Sequence, residues 1–269
     1  MNDFEAKARV HDFWNRAACG EQLYLNGSDR VAFEQQRSIR YRLEPIPEFA
    51  DFASFRGKKT LEIGVGLGAD HQSLAEAGAD LTGIDLTERA IAFTRARFGL
   101  FGLTSDLRVA DAERLPFPDS SFDAVYSWGV IHHSPNTSQA AAEIHRVLRQ
   151  GGQAKIMIYH TNSMVGYMLR FRYALAGLKP WRSLRDIYAN HLESSGTKAY
   201  TYKEARDIFR DFSSVDISTP LTHSDLLTSQ VGQRHRGAAL TIARRIWPRW
   251  FIKRFMASHG IGMRITLKK

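Results

Sequence analysis

The stretch from Thr60 to Leu86, TLEIGVGLGADHQSLAEAGADLTGIDL, constrains the fold of this chain more than any other segment. The apolar run 61–65 predicts a buried strand, and residues 70–77, which follow a glycine-rich turn, predict a short helix. Asp85 closes a second predicted strand, 23 positions after Glu62. A carboxylate at that point can accept hydrogen bonds from a ribose hydroxyl pair. The segment therefore predicts a strand–helix–strand unit that binds a nucleoside-containing ligand.

The spacing of the glycines distinguishes two kinds of nucleotide site. Gly64, Gly66 and Gly68 form the pattern GxGxG, whereas a dinucleotide site has GxGxxG. Ala69 stands where the last glycine of the dinucleotide pattern would fall, and Glu62 precedes the turn. The segment resembles motif I of class I S-adenosylmethionine (SAM) methyltransferases. Taken alone, it would also fit an ordinary turn between a strand and a helix.

Two further blocks resemble the same family in their order and separation. Val109 to Pro135 reads VADAERLPFPDSSFDAVYSWGVIHHSP, and Ala142 to Tyr159 reads AEIHRVLRQGGQAKIMIY. Together with motif I they resemble the subgroup that includes the ubiquinone and menaquinone C-methyltransferases and many small-molecule methyltransferases. The resemblance covers roughly Lys59 to Tyr159, and it covers the rest of the chain only loosely.

The order of the predicted elements indicates an α/β protein, because strands that alternate with helices favour a parallel sheet covered on both faces. The resemblance implies a doubly wound, seven-stranded, mostly parallel sheet of the Rossmann-like methyltransferase type, with an antiparallel last strand. We predict strands at 60–65, 80–85, 105–109, 122–128, 153–159, 215–218 and 262–267. We predict helices at 4–18, 70–77, 87–98, 137–148, 163–178 and 202–212, the last with Thr201 as its N-cap. A further helical pattern at 31–52 is broken by Pro45 and Pro47.

The segments outside the sheet are expected to complete the binding site. The resemblance implies that the helical N-terminal segment, residues 1–55, helps to close the cofactor site of a SAM-binding methyltransferase domain that spans 56–269. Two insertions, at about 161–200 and 219–260, leave the carboxyl ends of the fifth and sixth strands. Open α/β sheets bind ligands on that side. We interpret the insertions as a substrate cap and not as a separate domain.

The resemblance implies roles for particular residues toward SAM. The motif I turn would lie under the methionine and ribose portions, Asp85 would hold the ribose hydroxyls, and the other positions would surround the adenine or face the cofactor from the fourth strand. Alternatives remain open: Glu62 as a surface charge, Asp111 as a turn residue and Trp128 as a core residue. The predicted cofactor residues are Glu62, Gly64, Gly66, Gly68, Asp85, Leu86, Asp111, Ala112, Ser127, Trp128 and Val130. No metal ligands are predicted.

Candidate catalytic residues follow the fourth strand and end the fifth: His132, His133, Tyr159 and His160. Histidine titrates near neutral pH and suits removal of a proton from an oxygen nucleophile. The alternative for the two adjacent histidines is a structural role, bonded to the loop backbone. Candidate substrate contacts in the variable segments, for which simple packing is the alternative, are Tyr24, Tyr167, Arg170, Tyr200, Tyr202 and His223.

Basic residues concentrate in the C-terminal part of the chain. Residues 1–160 carry 18 Lys and Arg against 21 Asp and Glu, whereas 161–269 carry 19 against 7. Within the latter, 244–254 reads RRIWPRWFIKR and interleaves cations with tryptophans. This pattern suits peripheral contact with an anionic membrane, a nucleic-acid backbone or a cap helix packed on the core. The segment SWGVIHH after the fourth strand lacks the NPPY-like run of nucleic-acid amino-methyltransferases, so a nucleic-acid partner is not expected.

The remaining composition bears on the compartment and the reaction. The single cysteine, Cys19, excludes an internal disulfide and suits a reducing compartment. The N-terminus MNDFEAKARV lacks an apolar core, so we expect a cytoplasmic or membrane-peripheral protein without a secretory signal. We predict in-line transfer of a methyl group from SAM to a small organic acceptor. A lipid-like or quinone acceptor at a membrane surface, a macromolecular acceptor and a non-catalytic SAM-binding module stay open, as do the methylated atom and the oligomeric state.

Overall fold

A central seven-stranded sheet organises the chain. The structure is a computed structural model that describes residues 3–228, 241 and 244–269. The strands are β1 (Lys59–Ile63), β2 (Asp80–Asp85), β3 (Asp106–Val109), β4 (Phe122–Trp128), β5 (Leu148–Tyr159), β6 (Ser214–Ser218) and β7 (Gly262–Lys268). Their order is β3-β2-β1-β4-β5-β7-β6. β7 runs antiparallel to both of its neighbours, and every other pairing is parallel. The predicted mostly parallel, doubly wound sheet is confirmed.

Helices cover the sheet and precede it. The N-terminal segment contains α1 (Asp3–Arg16), α2 (Glu21–Tyr24), α3 (Arg30–Leu43), α4 (Ile46–Ala50) and a 3₁₀ turn (Phe52–Phe55). The sheet is flanked by α5 (Ala69–Glu76), α6 (Glu88–Phe101), α7 (Thr137–Val147) and α10 (Tyr202–Ile208). The region after β5 adds α8 (Met164–Arg170), a π-helical turn (Phe171–Leu175), α9 (Leu184–His191) and, further on, the helix Arg249–Phe255. In the described part of the chain, no helix combines the length and apolar character that crossing a bilayer requires.

Burial explains why the central strands carry large apolar residues. Leu61, Ile63 and Val125 are almost fully buried between the helical layers, as expected for parallel strands covered on both faces. Helix starts are set by hydroxyl and amide caps. The side chain of Thr87 accepts from the amide of Ala90, and Thr201 forms a reciprocal capping box with Glu204.

The largest departures from the predicted elements lie beyond the fifth strand. The helix predicted at 163–178 is divided into α8 and a π-helical turn, and α9 was not predicted. Leu178, at the end of this segment, has a φ of 53°. The helix predicted at 202–212 ends at Ile208 because Phe209 and Phe212 turn into the core. Part of the second predicted insertion, 229–240 with 242 and 243, lies outside the described residues.

The segment that follows β5 packs as a small helical layer. Val165 and Leu169 of α8 lie in one apolar cluster with Ile187 of α9 and with Ile261, which precedes β7. The hydroxyl of Tyr188 lies 2.9 Å from that of Ser163 at the N-terminus of α8. This layer, 161–200, is called the cap below. Its attachment through Ile261 places it beside the carboxyl end of β5.

Candidate functional site

A cavity of about 340 Å³ lies at the carboxyl ends of the parallel strands. The last residues of β1, β2, β4 and β5 line it, and the N-terminal helices and the cap complete its wall. This volume falls within the range of small-molecule sites, about 300–1,000 Å³. The position is the one at which open α/β sheets bind ligands. At this edge of the sheet the fold therefore presents a concave site built from both halves of the chain.

The glycine turn after β1 forms the floor of the cavity. Gly64 has a φ of 84°, and an added Cβ would come within 2.2 Å of a methyl carbon of Val130. Gly66 has a φ of 54°, and an added Cβ would meet nothing within 4 Å. Both residues line the cavity. Gly64 is therefore required because any side chain there would clash with Val130. At Gly66 the absence of a side chain leaves the backbone open to a ligand.

Asp85 holds the turn in place. One carboxylate oxygen accepts from the amide of Gly66 at 3.2 Å. The other accepts from the amide and the hydroxyl of Thr87 at 3.0 and 2.8 Å. Burial raises the pKa of Asp85, and these hydrogen bonds oppose the rise. The carboxylate therefore lies at the cavity wall in one orientation, with lone pairs left for a ligand.

Glu62 belongs to a buried polar chain that the sequence prediction missed. The hydroxyl of Ser105 donates to the carbonyl of Leu81, so it must accept from Nε2–H of His71 at 2.9 Å. Nδ1 of His71 then accepts, and its partner is Oε2 of Glu62 at 2.8 Å. Burial raises the pKa of Glu62 well above its usual range and lowers that of His71 to about 3. Both shifts favour the uncharged forms of the two side chains, and burial is the main cause of each.

Asp111 is held by the N-terminal helix. Nζ of Lys7 lies 2.5 Å from Oδ2 of Asp111 and 2.8 Å from Oε2 of Glu113. Lys7, Asp111 and Ala112 all line the cavity. Lys7 was not predicted to take part, because 104 positions separate it from Asp111 and no local pattern connects the two. At the far end of α1, Asn15 accepts from the amide of Arg89.

The structure brings most of the predicted cofactor residues together at the wall, including Leu86, Trp128 and Val130. Of the described residues predicted for the site, four do not line the cavity: Gly68, Ser127, His132 and His160. Gly68 precedes α5, and an added Cβ would come within 2.9 Å of Thr94. The hydroxyl of Ser127 donates to the carbonyl of Ile63, and the amide of His160 donates to that of Ile261.

The end of the cavity formed by the turn after β4 and by the cap is called the acceptor end below, because a methyl acceptor would bind there. It contains His133. The hydroxyl of Thr197 donates to the carbonyl of Ser194, so it accepts from Nδ1–H of His133 at 3.1 Å. The Ser194 hydroxyl lies 2.9 Å from the same nitrogen. Nε2 of His133 is therefore the ring nitrogen that faces Glu193, and it lies 3.4 Å from Oε2 of that residue.

Tyr159 completes this end. Its hydroxyl donates to the same Oε2 of Glu193 at 2.8 Å. Burial raises the pKa of Tyr159 well above its usual range, and nearby Glu193 adds to the effect. The phenol therefore remains protonated and acts as a donor.

His132 lies behind the wall, between the rings of His133 and Tyr159. Ring centroids are 4.2 Å apart toward His133 and 4.1 Å toward Tyr159. The side chain is fully buried, and neither of its ring nitrogens has a hydrogen-bond partner. Burial, with His133 and Lys198 nearby, lowers its pKa well below the usual range. His132 is a neutral, unpartnered imidazole.

The substrate contacts suggested from the variable segments are mostly elsewhere. Tyr24 lines the cavity, whereas Tyr167, Arg170, Tyr200, Tyr202 and His223 do not. The hydroxyl of Tyr200 donates to Thr137, and that of Tyr202 lies 2.6 Å from the Thr219 hydroxyl. The wall is completed instead by Val165, Leu192, Glu193, Ser224 and Ile261. No pattern in the sequence singles out this set.

Comparison with known proteins identifies the domain around this cavity. Residues 61–156 match the family model of a methyltransferase domain. The chain is 38% identical over 121 residues to a fatty-acid O-methyltransferase of Mycolicibacterium smegmatis, covering 44% of this chain and 43% of that protein. It is 34% identical over 126 residues to a demethylmenaquinone methyltransferase of Tropheryma whipplei, covering 45% and 52%. The chain thus matches about half the length of these curated relatives.

A solved structure shows the same fold over nearly the whole chain. It is a SAM-dependent methyltransferase of Thermotoga maritima, a possible histamine N-methyltransferase. The TM-score is 0.58 at 17% identity, and the match covers 97% of this chain and 99% of that one. At this identity the likeness concerns the fold.

Proposed function

We propose that this chain, whose residues 61–156 match the family model of a methyltransferase domain, is a SAM-dependent enzyme that transfers a methyl group from SAM to a small, largely apolar organic acceptor. The observation that carries the proposal is the open glycine turn whose Gly66 amide is bonded to Asp85 at the end of β2. A turn with no space above Gly66 would not admit a nucleoside. Here a Cβ at that position would meet nothing within 4 Å.

The residues at this end fit the parts of SAM. The backbone of Gly64 and Gly66 would lie under the methionine and ribose, and Asp85 would accept from the ribose hydroxyls. Leu86 and Ala112 offer apolar surface to the adenine, and Asp111 offers an acceptor. SAM, when bound, supplies a methyl group on a sulfonium that is already activated. The protein then has mainly to hold the acceptor in line and exclude water.

The opposite end supports an apolar acceptor with one ionisable group. Met157, Val165, Leu192 and Ile261 supply its apolar wall. Polar groups converge at one place, where His133, Glu193 and Tyr159 meet. The lone pair on Nε2 of His133 can accept a proton from a hydroxyl or carboxyl acceptor. Of the four predicted catalytic residues, His133 and Tyr159 are the two at the wall.

A lipid-like acceptor taken from an anionic membrane surface is the favoured form of this function. In the helix Arg249–Phe255, Trp250 is 74% exposed and Phe255 59% exposed, beside Lys253 and Arg254. Only Ile252 of this helix is buried, so packing on the core accounts for little of its apolar surface. Aromatic side chains beside cations suit the headgroup region of a bilayer. Fatty-acid and quinone methyltransferases among the relatives are consistent with such an acceptor.

The first test separates transfer from binding. SAM binding is measured by calorimetry, and transfer is measured with radiolabelled SAM, a metabolite extract and medium-chain fatty acids, followed by phase partition. Labelled product in the organic phase supports the proposal. Label only in an aqueous small molecule contradicts the lipid-like form. SAM binding without product favours a binding module, and no SAM binding contradicts the function altogether.

Membrane contact is tested by measuring the fraction of protein that sediments with phosphatidylglycerol vesicles. The double variant Trp250→Ser with Phe251→Ser should reduce the bound fraction about tenfold, and salt should weaken wild-type binding. Leu100→Ser removes an exposed apolar side chain from α6 and serves as the matched control. Equal binding of both variants would contradict membrane contact through this helix.

A further inference from the structure

The geometry points to a divalent-metal site, suited to zinc, formed by His132, His133 and Glu193 at the acceptor end of the cavity. One ligand atom from each residue lies within 4.8 Å of the other two. The sequence prediction contained no metal, since the two histidines were considered only as bases or loop residues. Nothing in the local sequence connects them with a glutamate 60 positions further along the chain.

The unpartnered imidazole of His132 is the first observation. Its side chain is fully buried, and both ring nitrogens lack a hydrogen-bond partner. Leaving a buried polar group unsatisfied costs about 1–3 kcal/mol. The rings of His133 and Tyr159 that enclose it offer it no hydrogen bond. A cation bound in the plane of the His132 ring would satisfy one of the two nitrogens.

The orientation of His133 is the second observation. Because Nδ1 lies within hydrogen-bond distance of the Thr197 and Ser194 hydroxyls, Nε2 is the ring nitrogen that faces Glu193. Metal-binding histidines have this arrangement, in which the second nitrogen is held by an outer hydrogen bond. Nε2 and Oε2 of Glu193 are 3.4 Å apart. Two ligands of a tetrahedral zinc with bonds of ~2.0–2.1 Å are separated by about the same distance.

The third observation is the support and exposure of Glu193. Its Oε2 already accepts from the hydroxyl of Tyr159, which orients the carboxylate. His133 and Glu193 line the cavity, whereas His132 lies behind them. Two histidines and a glutamate form a three-ligand set that leaves a fourth position open. That position would face the acceptor and not the core.

The site has a consequence that rests on the proposed function. A cation at this position would bind an acceptor hydroxyl or carboxylate and favour its deprotonated form. His133 would then act as a ligand and would not itself take the proton. Glu193 comes from the cap, so the ligand set is complete only when the cap is packed against β5.

Metal binding is tested on the full chain without reference to methyl transfer. Protein stripped with EDTA is dialysed against ZnCl₂, and bound zinc is counted by mass spectrometry and titrated by calorimetry. We expect one zinc per chain, and a Co²⁺ form with the visible absorption of a tetrahedral ion. Glu193→Gln and His132→Phe should each weaken zinc binding about 100-fold, and Thr197→Val about tenfold. His223→Gln, an exposed histidine outside the set, is the control and should bind as wild type does.

The outcomes are decisive in both directions. A wild-type protein that binds less than about 0.1 zinc per chain, one-tenth of the occupancy of a specific site, would overturn the proposal. Zinc binding of wild-type affinity in both single variants, Glu193→Gln and His132→Phe, would also overturn it. Glu193 is on the cap surface, so its variant tests the site even if His132→Phe fails to fold. Zinc binding without methyl transfer would support the site and contradict the proposed function, and methyl transfer without zinc binding would do the reverse.

Discussion

The two ends of the cavity are built differently. At the cofactor end, Asp85 is bonded to Gly66 and Thr87, and Asp111 to Lys7, so these groups have partners before any ligand arrives. At the acceptor end, the ring nitrogens of His132 have no hydrogen-bond partner, and Nε2 of His133 lies 3.4 Å from Oε2 of Glu193. The first end is preorganised for one ligand. The second has bonding capacity that only a proton, a metal or an acceptor can satisfy.

The ends also differ in where their residues come from. The cofactor end is formed largely by the consecutive turns after β1, β2 and β3. The acceptor end combines the turn after β4 with the cap, which belongs to the strongly basic part of the chain. We therefore expect the loss of Asp85 at the cofactor end to weaken ligand binding most, and the other substitutions to change stability or closure by smaller amounts.

The largest effect should come from Asp85→Ala. The substitution removes the acceptor for Gly66 and Thr87 together with the proposed ribose contact, and hydrogen bonds to a charged group contribute about 1.5–3 kcal/mol each. SAM binding measured by calorimetry should weaken at least about 100-fold. Asp80→Ala, at the exposed start of β2, is the control and should bind normally. Binding within about threefold of wild type would mean that the cofactor end does not depend on this carboxylate.

The next effect compares two glycines of one turn. Gly64→Ala combines a positive φ with a clash against Val130, so the free energy of unfolding should fall by about 2–4 kcal/mol. Gly66→Ala introduces no clash, so only the positive φ should lower the free energy of unfolding, by about 1–2 kcal/mol. Urea denaturation measures both. Adding Val130→Ala to Gly64→Ala should recover the part due to the clash. Equal losses in the two single variants would show that close packing at Gly64 is not needed.

A smaller effect should appear in the pH dependence of stability. Glu44 lines the cavity between the two ends, and burial raises its pKa to about 7, with Asp225 and Glu193 adding to the rise and Arg40 and Arg264 opposing it.

Because the folded-state pKa is raised, the folded protein keeps this proton longer than the unfolded chain does. Stability is therefore highest, for this group, below about pH 4.5 and falls as pH rises toward 7. The loss should be on the order of 1–3 kcal/mol. In Glu44→Gln this part of the slope should vanish in thermal unfolding at pH 4.5, 5.5 and 7. An unchanged slope would assign the dependence to other groups.

The smallest effect concerns closure by α1. Lys7→Met breaks the ion pairs with Asp111 and Glu113, which are partly exposed, so the loss should be about 1 kcal/mol or less. Amide hydrogen exchange of residues 3–16 should accelerate severalfold, and SAM should dissociate faster. Lys203→Met breaks an ion pair with Asp207 on the surface of α10 and should change neither rate. If Lys7→Met also leaves both rates unchanged, α1 does not close the cofactor end.

Much of the fold follows from short-range patterns. The strand predicted at 122–128 is β4 residue for residue, and those at 80–85 and 215–218 differ from β2 and β6 by at most one residue. Each is a run of apolar or alternating residues bounded by turn residues, so neighbouring side chains suffice to identify it. β5 begins five residues earlier than predicted. Leu148 pairs there with Phe122 across an irregular register, and a strand partner cannot be read from one segment.

Site residues within one local motif were predicted, whereas those that depend on distant contacts were missed. Gly64, Gly66 and Asp85 were predicted because they occupy one continuous motif. His71 was missed although only nine positions separate it from Glu62, since its role depends on a tautomer set by Ser105. Glu193 of the cap was missed, whereas Tyr200 and Tyr202, two candidate substrate contacts with packing as the alternative, bond elsewhere. Chemical type alone does not tell which way a side chain on an irregular segment points.

By itself the sequence determined where most strands lie along the chain, the glycine turn and the acid that closes β2. These depend on backbone conformation and burial within a few residues, which local side chains control. Only the tertiary structure decided that Lys7 holds Asp111 and that Glu193 joins the two histidines. Such contacts join residues 104 and 60 positions apart, and they exist because packing of apolar surfaces brings distant segments together. Hydrophobic packing is non-directional, so the polar pairs that it creates leave no periodic signal in the chain.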